Sequence, residues 1–346
     1  MIKQKGILKS NSINDTRVVE RLIALWALNE CTLGGIMHAF KLPFTGIFVG
    51  GISVLLITLI ALSTTKTWST LLKALTIVLV IKVGISPYTP ITAYFAVSFQ
   101  AFLGILLYTV FSVNSFTIIV LCAVTFLESA LQKLLTLTLV FGQSFWKAVD
   151  VYMDWISQQL SFLPIVFNSK SLIYTFLGIY VLSGIAAGFL IIRTIKLIKK
   201  VNVSQVNLNL DTALPEFNSN KKKFKKKIFY SFLIILVIVL IPILYFNNGS
   251  QAWQNALYLI IRSVLILMIW YFLLGPYLIN FLNKILSEKR EFYQTDVQDI
   301  LTILPILELI IYHSWKESKT FKGFNRLIQF LAKSIAYSLY FEKIKK

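Results

Sequence analysis

Residues 44–63 read FTGIFVGGISVLLITLIALS, twenty positions without a charged side chain. A helix rises about 1.5 Å per residue, so about 20 apolar residues cross the roughly 30 Å hydrocarbon core of a bilayer. This stretch therefore reads as a membrane span, and the pattern recurs on both sides of it. Comparable segments lie at 22–40, 67–85, 89–111, 114–141, 171–192, 228–247 and 254–282. Asn29 and Glu30 interrupt the first, Lys73 and Lys82 fall in the third, and Gly275-Pro276 predicts a kink in the last, because proline removes a helix hydrogen bond. The expected fold is all-α, a polytopic membrane helix bundle of about eight transmembrane helices in a six plus two arrangement.

Composition agrees. Of 346 residues 57% are apolar and 14% charged, with a mean hydropathy of +0.74. A soluble domain keeps roughly 25% charged residues to wet its surface. Cys31 and Cys122 both sit in apolar runs, which excludes a disulfide scaffold or a cysteine zinc site. His38 and His313 offer no second ligand at metal spacing, so no metal and no cofactor are expected. The chain has no Gly-rich phosphate loop, no Gly-x-Ser-x-Gly, no His-Glu-x-x-His and no Asp-rich pair. Only 15 acidic residues are present, and no catalytic residues are expected.

The net charge of +19 is concentrated. Residues 1–21, 193–227 and 284–346 carry +3, +8 and +4, including the run 221–227 (KKKFKKK). With eight spans all three fall on one side, and the positive-inside rule makes that side the cytoplasm, with both termini there. The lysine run then sets topology and attracts anionic headgroups of the lipid bilayer. No aromatic-interleaved basic surface accompanies it, so no nucleic acid partner is expected. Nothing in the polar first 20 residues resembles a cleavable signal, so the first span is expected to direct its own insertion. The opposite face receives the turns around Pro43 and Ser86-Pro87 and the stretch 142–170, where Trp146, Val149, Met153 and Trp155 have the spacing of an interfacial helix. Asn248-Gly249-Ser250 in a later loop is a formal glycosylation sequon. These signals divide the chain into a six-span membrane domain (1–200), a basic linker (201–227), a two-span unit (228–285) and cytoplasmic amphipathic helices (286–346).

Polar side chains inside spans are costly, about 2.5–3.5 kcal/mol each on insertion scales when charged, and so mark sites. Asn29, Glu30, His38, Lys82, Gln100, Glu128 and Gln132 are the candidate substrate-binding residues, with Glu128 and Gln132 four apart on one helical face. Two readings are open. The groups could line an outward-opening polar pocket, with Lys82 available to an anionic group, or they could simply pair with one another. Lys82 and Lys133 could also snorkel. Small residues form a second pattern, with Ala27, Cys31, Gly35 and Ala39 at intervals of four, Gly46 with Gly50, and Gly184 with Gly188. Such stripes let helices approach closely, either inside the bundle or against a membrane partner subunit. Trp26, Trp68, Trp146, Trp155 and Trp253 fall where interfacial anchors belong. The tail repeats an amphipathic pattern, broken at Pro305, that suits helices on the membrane or a platform for a soluble partner.

Residues 20–195 resemble a substrate-binding S-component of energy-coupling factor transporters, a family of vitamin and metal uptake systems. The likeness rests on the stripe Ala27, Cys31, Gly35, Ala39, similar to the alanine-every-four pattern with which those proteins dock on their coupling subunit. Phe44-Thr45-Gly46-x-x-x-Gly50-Gly51 and Ser86-Pro87-x-x-Pro90 add to it. Cys31 and Gly35 stand where that pattern prefers alanine. The C-terminal part resembles, more faintly, the transmembrane coupling subunit. Ser314-Trp315-Lys316-Glu317-Ser318 stands where that family has an Ala-Arg-Gly element, making Trp315, Lys316 and Glu317 candidate partner-binding residues. The resemblance implies uptake of a small vitamin-like solute, energised by a soluble ATPase partner. The expected function is a non-enzymatic transport subunit in the cell (inner) membrane. The alternatives are a membrane scaffold or assembly factor and, third, an integral-membrane lipid-modifying enzyme.

Overall fold

A computed structural model describes residues 12–39, 44–85, 89–159, 168–201, 251–269 and 274–340. All regular structure among them is helical. The order is α1 (Ser12–Leu28), a π-helical turn (Asn29–Leu33), α2 (Gly34–Ala39), α3 (Thr45–Leu62), α4 (Thr67–Ile85), α5 (Ile91–Val110) and α6 (Ser115–Phe141). Then come α7 (Gln143–Gln159), α8 (Ser169–Ile198), α9 (Gln251–Ile269), α10 (Gly275–Phe292), α11 (Gln294–Glu317), a 3-10 turn (Ser318–Thr320) and α12 (Gly323–Tyr340). The predicted span 228–247, the linker beyond Val201 and the sequon lie outside the described residues.

Six of these helices are long and apolar enough to cross a membrane: α3, α4, α5, α6, α8 and the stretch Gln294–Thr320. The first five match the predicted spans from 44–63 to 171–192. The sixth belongs to the tail, which the sequence reading places on the membrane or beneath it. Its charged residues gather at the ends, and between Asp299 and Lys316 only Glu308 is acidic. The predicted span 22–40 becomes α1, the π turn and α2, and 254–282 falls on α9 and α10, with 270–273 outside the described residues.

The chain forms two compact units. The first comprises 1–134, 170–210 and 275–346, the second 135–169 and 211–274. In the first, α1 packs on α3 and α4, and the tail helices α11 and α12 pack on α1. Ile300, Leu307, Ile310, Ala332 and Ala336 of the tail share one core with Leu22, Ala24 and Ala27 of α1. Two polar ties fix this junction. Lys73 of α4 bonds Asp296 at 2.9 Å, and the Arg21 guanidinium donates to the Leu339 carbonyl, one of the orphan carbonyls at the end of α12. The tail is thus part of the bundle. Trp26 is fully buried in the same core, which removes it from the predicted interfacial anchors, whereas Trp68 and Trp155 are exposed.

Glycine sets the closest helix approach. A Cβ at Gly184 would lie 2.6 Å from the Ala123 Cα and 2.8 Å from the Cys122 carbonyl oxygen, and one at Gly188 would lie 2.8 Å from the Ile119 Cα. The α6 backbone therefore rests directly on α8, as the Gly184/Gly188 stripe predicts. Asn114 caps α6 reciprocally with Thr117, each side chain accepting the other's backbone N–H at 3.0 Å.

In the second unit, α7 buries none of its residues, and Tyr152 and Trp155 stack on its exposed surface with ring centroids 5.8 Å apart. Asp150 accepts the Ser169 N–H at 2.7 Å, which satisfies a donor at the start of α8.

Candidate functional site

The polar side chains of the first unit form two groups, joined by one face of α3. Gly46, Gly50 and Ser53 recur there at helical spacing, and small residues leave room for polar groups from three directions.

The first group is closed. Asn29 Nδ2 donates to the Val49 carbonyl at 3.1 Å and to Ser53 Oγ at 2.9 Å. Ser53 Oγ donates to Glu30 Oε1 at 2.6 Å, and Lys82 Nζ donates to Glu30 Oε2 at 2.6 Å. Both ionic side chains are almost wholly buried, 2% exposed for Lys82 and 3% for Glu30. The Lys82 ammonium also stands 5.7 Å from the Tyr94 ring centroid. Each charge carries its partner, which is the condition for a buried ion pair to persist. The local backbone makes this possible. Asn29 and Glu30 open a π-helical turn in which the Gly34 N–H reaches back to the Asn29 carbonyl, five residues away. Such a turn re-aims side chains that a regular helix would direct elsewhere, and it recurs at functional sites.

The second group is open. Gln100 of α5 and Thr125 of α6 meet at Gly50, where an added Cβ would lie 3.3 Å from Gln100 Nε2 and 3.5 Å from Thr125 Cγ2. One turn further along α6, Ser129 fills the space at Gly46, where a Cβ would approach its Oγ to 2.5 Å. Gln132 Nε2 donates to Glu128 Oε1 and to the Thr92 carbonyl, the latter at 3.3 Å, closing the seam between α5 and α6. Within this group three buried oxygens lack a protein partner: Gln100 Oε1, Thr125 Oγ1 and Glu128 Oε2. A fourth, Asn29 Oδ1, belongs to the first group and is the one oxygen there without a protein partner. Leaving such an atom unpaired costs about 1–3 kcal/mol, so three of them in one group point to an occupant.

On another side of α6, the Lys133 ammonium donates to the Tyr180 hydroxyl at 2.6 Å. It stands 5.6 Å from the Phe44 ring centroid and 5.3 Å from that of Tyr180. No carboxylate among the described residues pairs with it. Phe44 precedes α3 in the left-handed region, φ +63°, and is 44% exposed. A bulky side chain there is strained by about 1–3 kcal/mol.

Of the expected binding residues, Gln100, Glu128 and Gln132 therefore share the open group, while Asn29, Glu30 and Lys82 form the closed one. The His38 and Ala39 side chains lie outside the described residues. Ala27 and Cys31 are buried inside the unit, and Gly35 is half-buried. In the tail, Glu317 accepts Lys333 Nζ at 2.9 Å and the Tyr337 hydroxyl at 2.8 Å, with His313 Nδ1 at 3.4 Å. Trp315 lies under the Arg326 guanidinium at 4.3 Å and edge-on to Phe330, while Lys316 is exposed.

Ser53 and Thr125 are absent from the expected set. A polar stripe at 125, 128, 129 and 132 on α6 was the available signal, but Ser and Thr are common in membrane helices, where their hydroxyls bond the preceding turn. Thr58, Thr76 and Thr194 do this here, each to the carbonyl four residues back, whereas no such bond satisfies Thr125. Among the described residues no group of three or more metal-ligating side chains occurs. Comparison with family models, curated proteins and solved structures gives no match to the chain.

Proposed function

We propose that this chain is the solute-binding subunit of a membrane transport system, and that its solute is held along the seam of α3, α5 and α6. The supporting observation is the set of three buried oxygens without a protein partner, on Gln100, Thr125 and Glu128, the first two on side chains that meet at Gly50. Hydrogen bonds from a solute would complete these groups. The seam lies towards the end of the unit that carries Phe44, Lys133 and Tyr180, which the charge distribution assigns to the outer side of a cell (inner) membrane. The Glu30–Lys82 pair acts as an internal lock that fixes α1 against α3 and α4. No group in the seam is arranged for bond-making chemistry. Transport then requires an energy source elsewhere, which the S-component resemblance assigns to a soluble ATPase. Trp315 and Lys316 are the exposed positions available to it.

The scaffold reading draws on the same ion pair and on the burial of the tail in the core, since both are features of a rigid assembly. A thermal-shift screen of purified protein against small polar solutes separates the two readings, because any ligand of the native state raises its melting temperature. A stabilising solute whose effect disappears in Gln100→Leu and Glu128→Gln, both still folded, supports binding in the seam. A screen without hits, with both variants as stable as wild type or more so, leaves the scaffold.

A further inference from the structure

We propose that Glu128 is a proton-binding site in the middle of α6, occupied by a proton in the folded protein at neutral pH. The proposal stands apart from the solute reading, because a proton on a carboxyl oxygen needs no cavity. Glu128 is the middle one of the 27 residues of α6, so about 20 Å of helix lies on either side of it. Only 8% of it is exposed. Gln132 Nε2 donates to its Oε1, and Oε2 has no protein partner.

The other buried carboxylate shows what ionisation at such a place requires. Glu30 keeps its charge beside Lys82, at 2.6 Å. Glu128 has no such partner among the described residues, and the helices packed around α6 explain why. α3 and α5 contain no charged residue, and their titratable groups are Tyr94 and Tyr108, the latter bonded to Thr58. On α6 the one cation is Lys133, five positions on, which leaves from a different side of the helix and donates to Tyr180; Cys122 is the remaining titratable group. On α8, Lys170, Arg193 and Lys196 stand near the ends, with Tyr174 and Tyr180 between them. Lys73 and Lys82 of α4 are taken by Asp296 and Glu30. An unpaired carboxylate in apolar surroundings costs far more than the neutral acid, so a proton from bulk water completes the group. The acid also brings an O–H donor to a group in which Gln100 Oε1 and Thr125 Oγ1 lack one. Entry of water or of a cationic group would let Glu128 ionise and return its proton to the water, so opening of the seam is coupled to proton release.

Infrared spectra of the full-length protein in lipid nanodiscs separate the C=O stretch of a protonated carboxyl from the carboxylate bands. At about pH 7 that stretch is expected in wild type and in Glu20→Gln, which removes the half-buried carboxyl of α1, and it should be lost in Glu128→Gln. Glu128→Asp, which keeps the acid and moves its band, makes the assignment if Glu128→Gln does not fold. Stability gives a second readout. Folded wild type holds one proton that the unfolded chain has released, so its stability falls as pH rises. Between about pH 5 and about pH 7 its unfolding equilibrium in SDS should shift about tenfold per pH unit towards the unfolded state, relative to Glu128→Gln. Absence of the protonated band from Glu20→Gln at about pH 7 overturns the proposal, as does a band unchanged by both substitutions at Glu128. Parallel pH profiles of wild type and Glu128→Gln overturn it as well. Such a failure leaves the solute screen to decide the binding reading by itself, and a screen without hits leaves the proton site standing.

Discussion

Replacing Glu30 by glutamine keeps the shape of the side chain and its bond from Ser53, and it removes only the charge opposite Lys82. The ammonium left behind is 2% exposed and lies 2.6 Å from its partner oxygen in the native protein. Breaking one side of such a pair costs about 3–5 kcal/mol, because the remaining ion is neither hydrated nor paired. In the unfolded membrane-inserted state Lys82 can snorkel to the headgroups, so most of that penalty falls on the native state. At about 1.4 kcal/mol per tenfold, the unfolding equilibrium should shift by two to three and a half orders of magnitude. Lys82→Met should cost a similar amount by stranding Glu30. The double variant Glu30→Leu/Lys82→Met should recover most of the loss, since apolar replacement of a whole buried pair is often neutral or favourable by about 1–4 kcal/mol. Unfolding in mixed micelles of increasing SDS fraction, followed by tryptophan fluorescence, measures all three. The reasoning fails if either single variant lies within about 1 kcal/mol of wild type, the range of solvated pairs. It also fails if the double variant loses the sum of the two.

Gly184→Ala should destabilise by about 1–3 kcal/mol, because the new methyl meets α6 backbone that no rotamer can relieve. Gly178→Ala, on the same helix with open space at its Cβ, should be neutral or gain up to about 1 kcal/mol from helix propensity, and SDS titration of both checks the contrast. The Glu20 carboxyl is held above its usual 4.5 by burial first and then by Asp296 and Asp299, against the opposing effects of Lys73 and Arg17. Its contribution to stability is present below the unfolded value and lost as pH rises through the folded one. Glu20→Gln should therefore raise the melting temperature at pH 7, with the gain vanishing below pH 4.5. Truncation at residue 285 should unfold the first unit, because Leu307, Ile310 and Ala336 are core residues, so a monodisperse, heat-stable truncated protein would contradict the packing described. A soluble partner at the tail is better tested with Lys316→Glu, which should abolish ATPase co-purification without changing stability by more than about 1 kcal/mol at this exposed position.

The sequence by itself determined that this chain is a helical membrane bundle. Twenty uncharged and mostly apolar residues in a row have few alternatives, since backbone groups in lipid must bond within their own helix. The same local logic located the helices from α3 to α6 and the glycine stripe on α8, because span length and small-residue spacing are properties of one segment. It also marked Glu30, Lys82, Gln100 and Glu128 as unusual, since each is an expensive group in an apolar run. Tertiary structure alone decided what those groups do. Whether a buried charge is partnered depends on which helix lies opposite, so the union of Glu30 with Lys82, 52 residues away, and the meeting of Gln100 and Thr125 at Gly50 had no one-dimensional signature. The π-helical turn at Asn29 and the left-handed Phe44 were hidden for the same reason, as each is held by its surroundings against the preference of its own residues. The tail shows the limit most plainly. Its amphipathic periodicity announced an apolar face to be covered, and only the folded chain showed that α1 covers it.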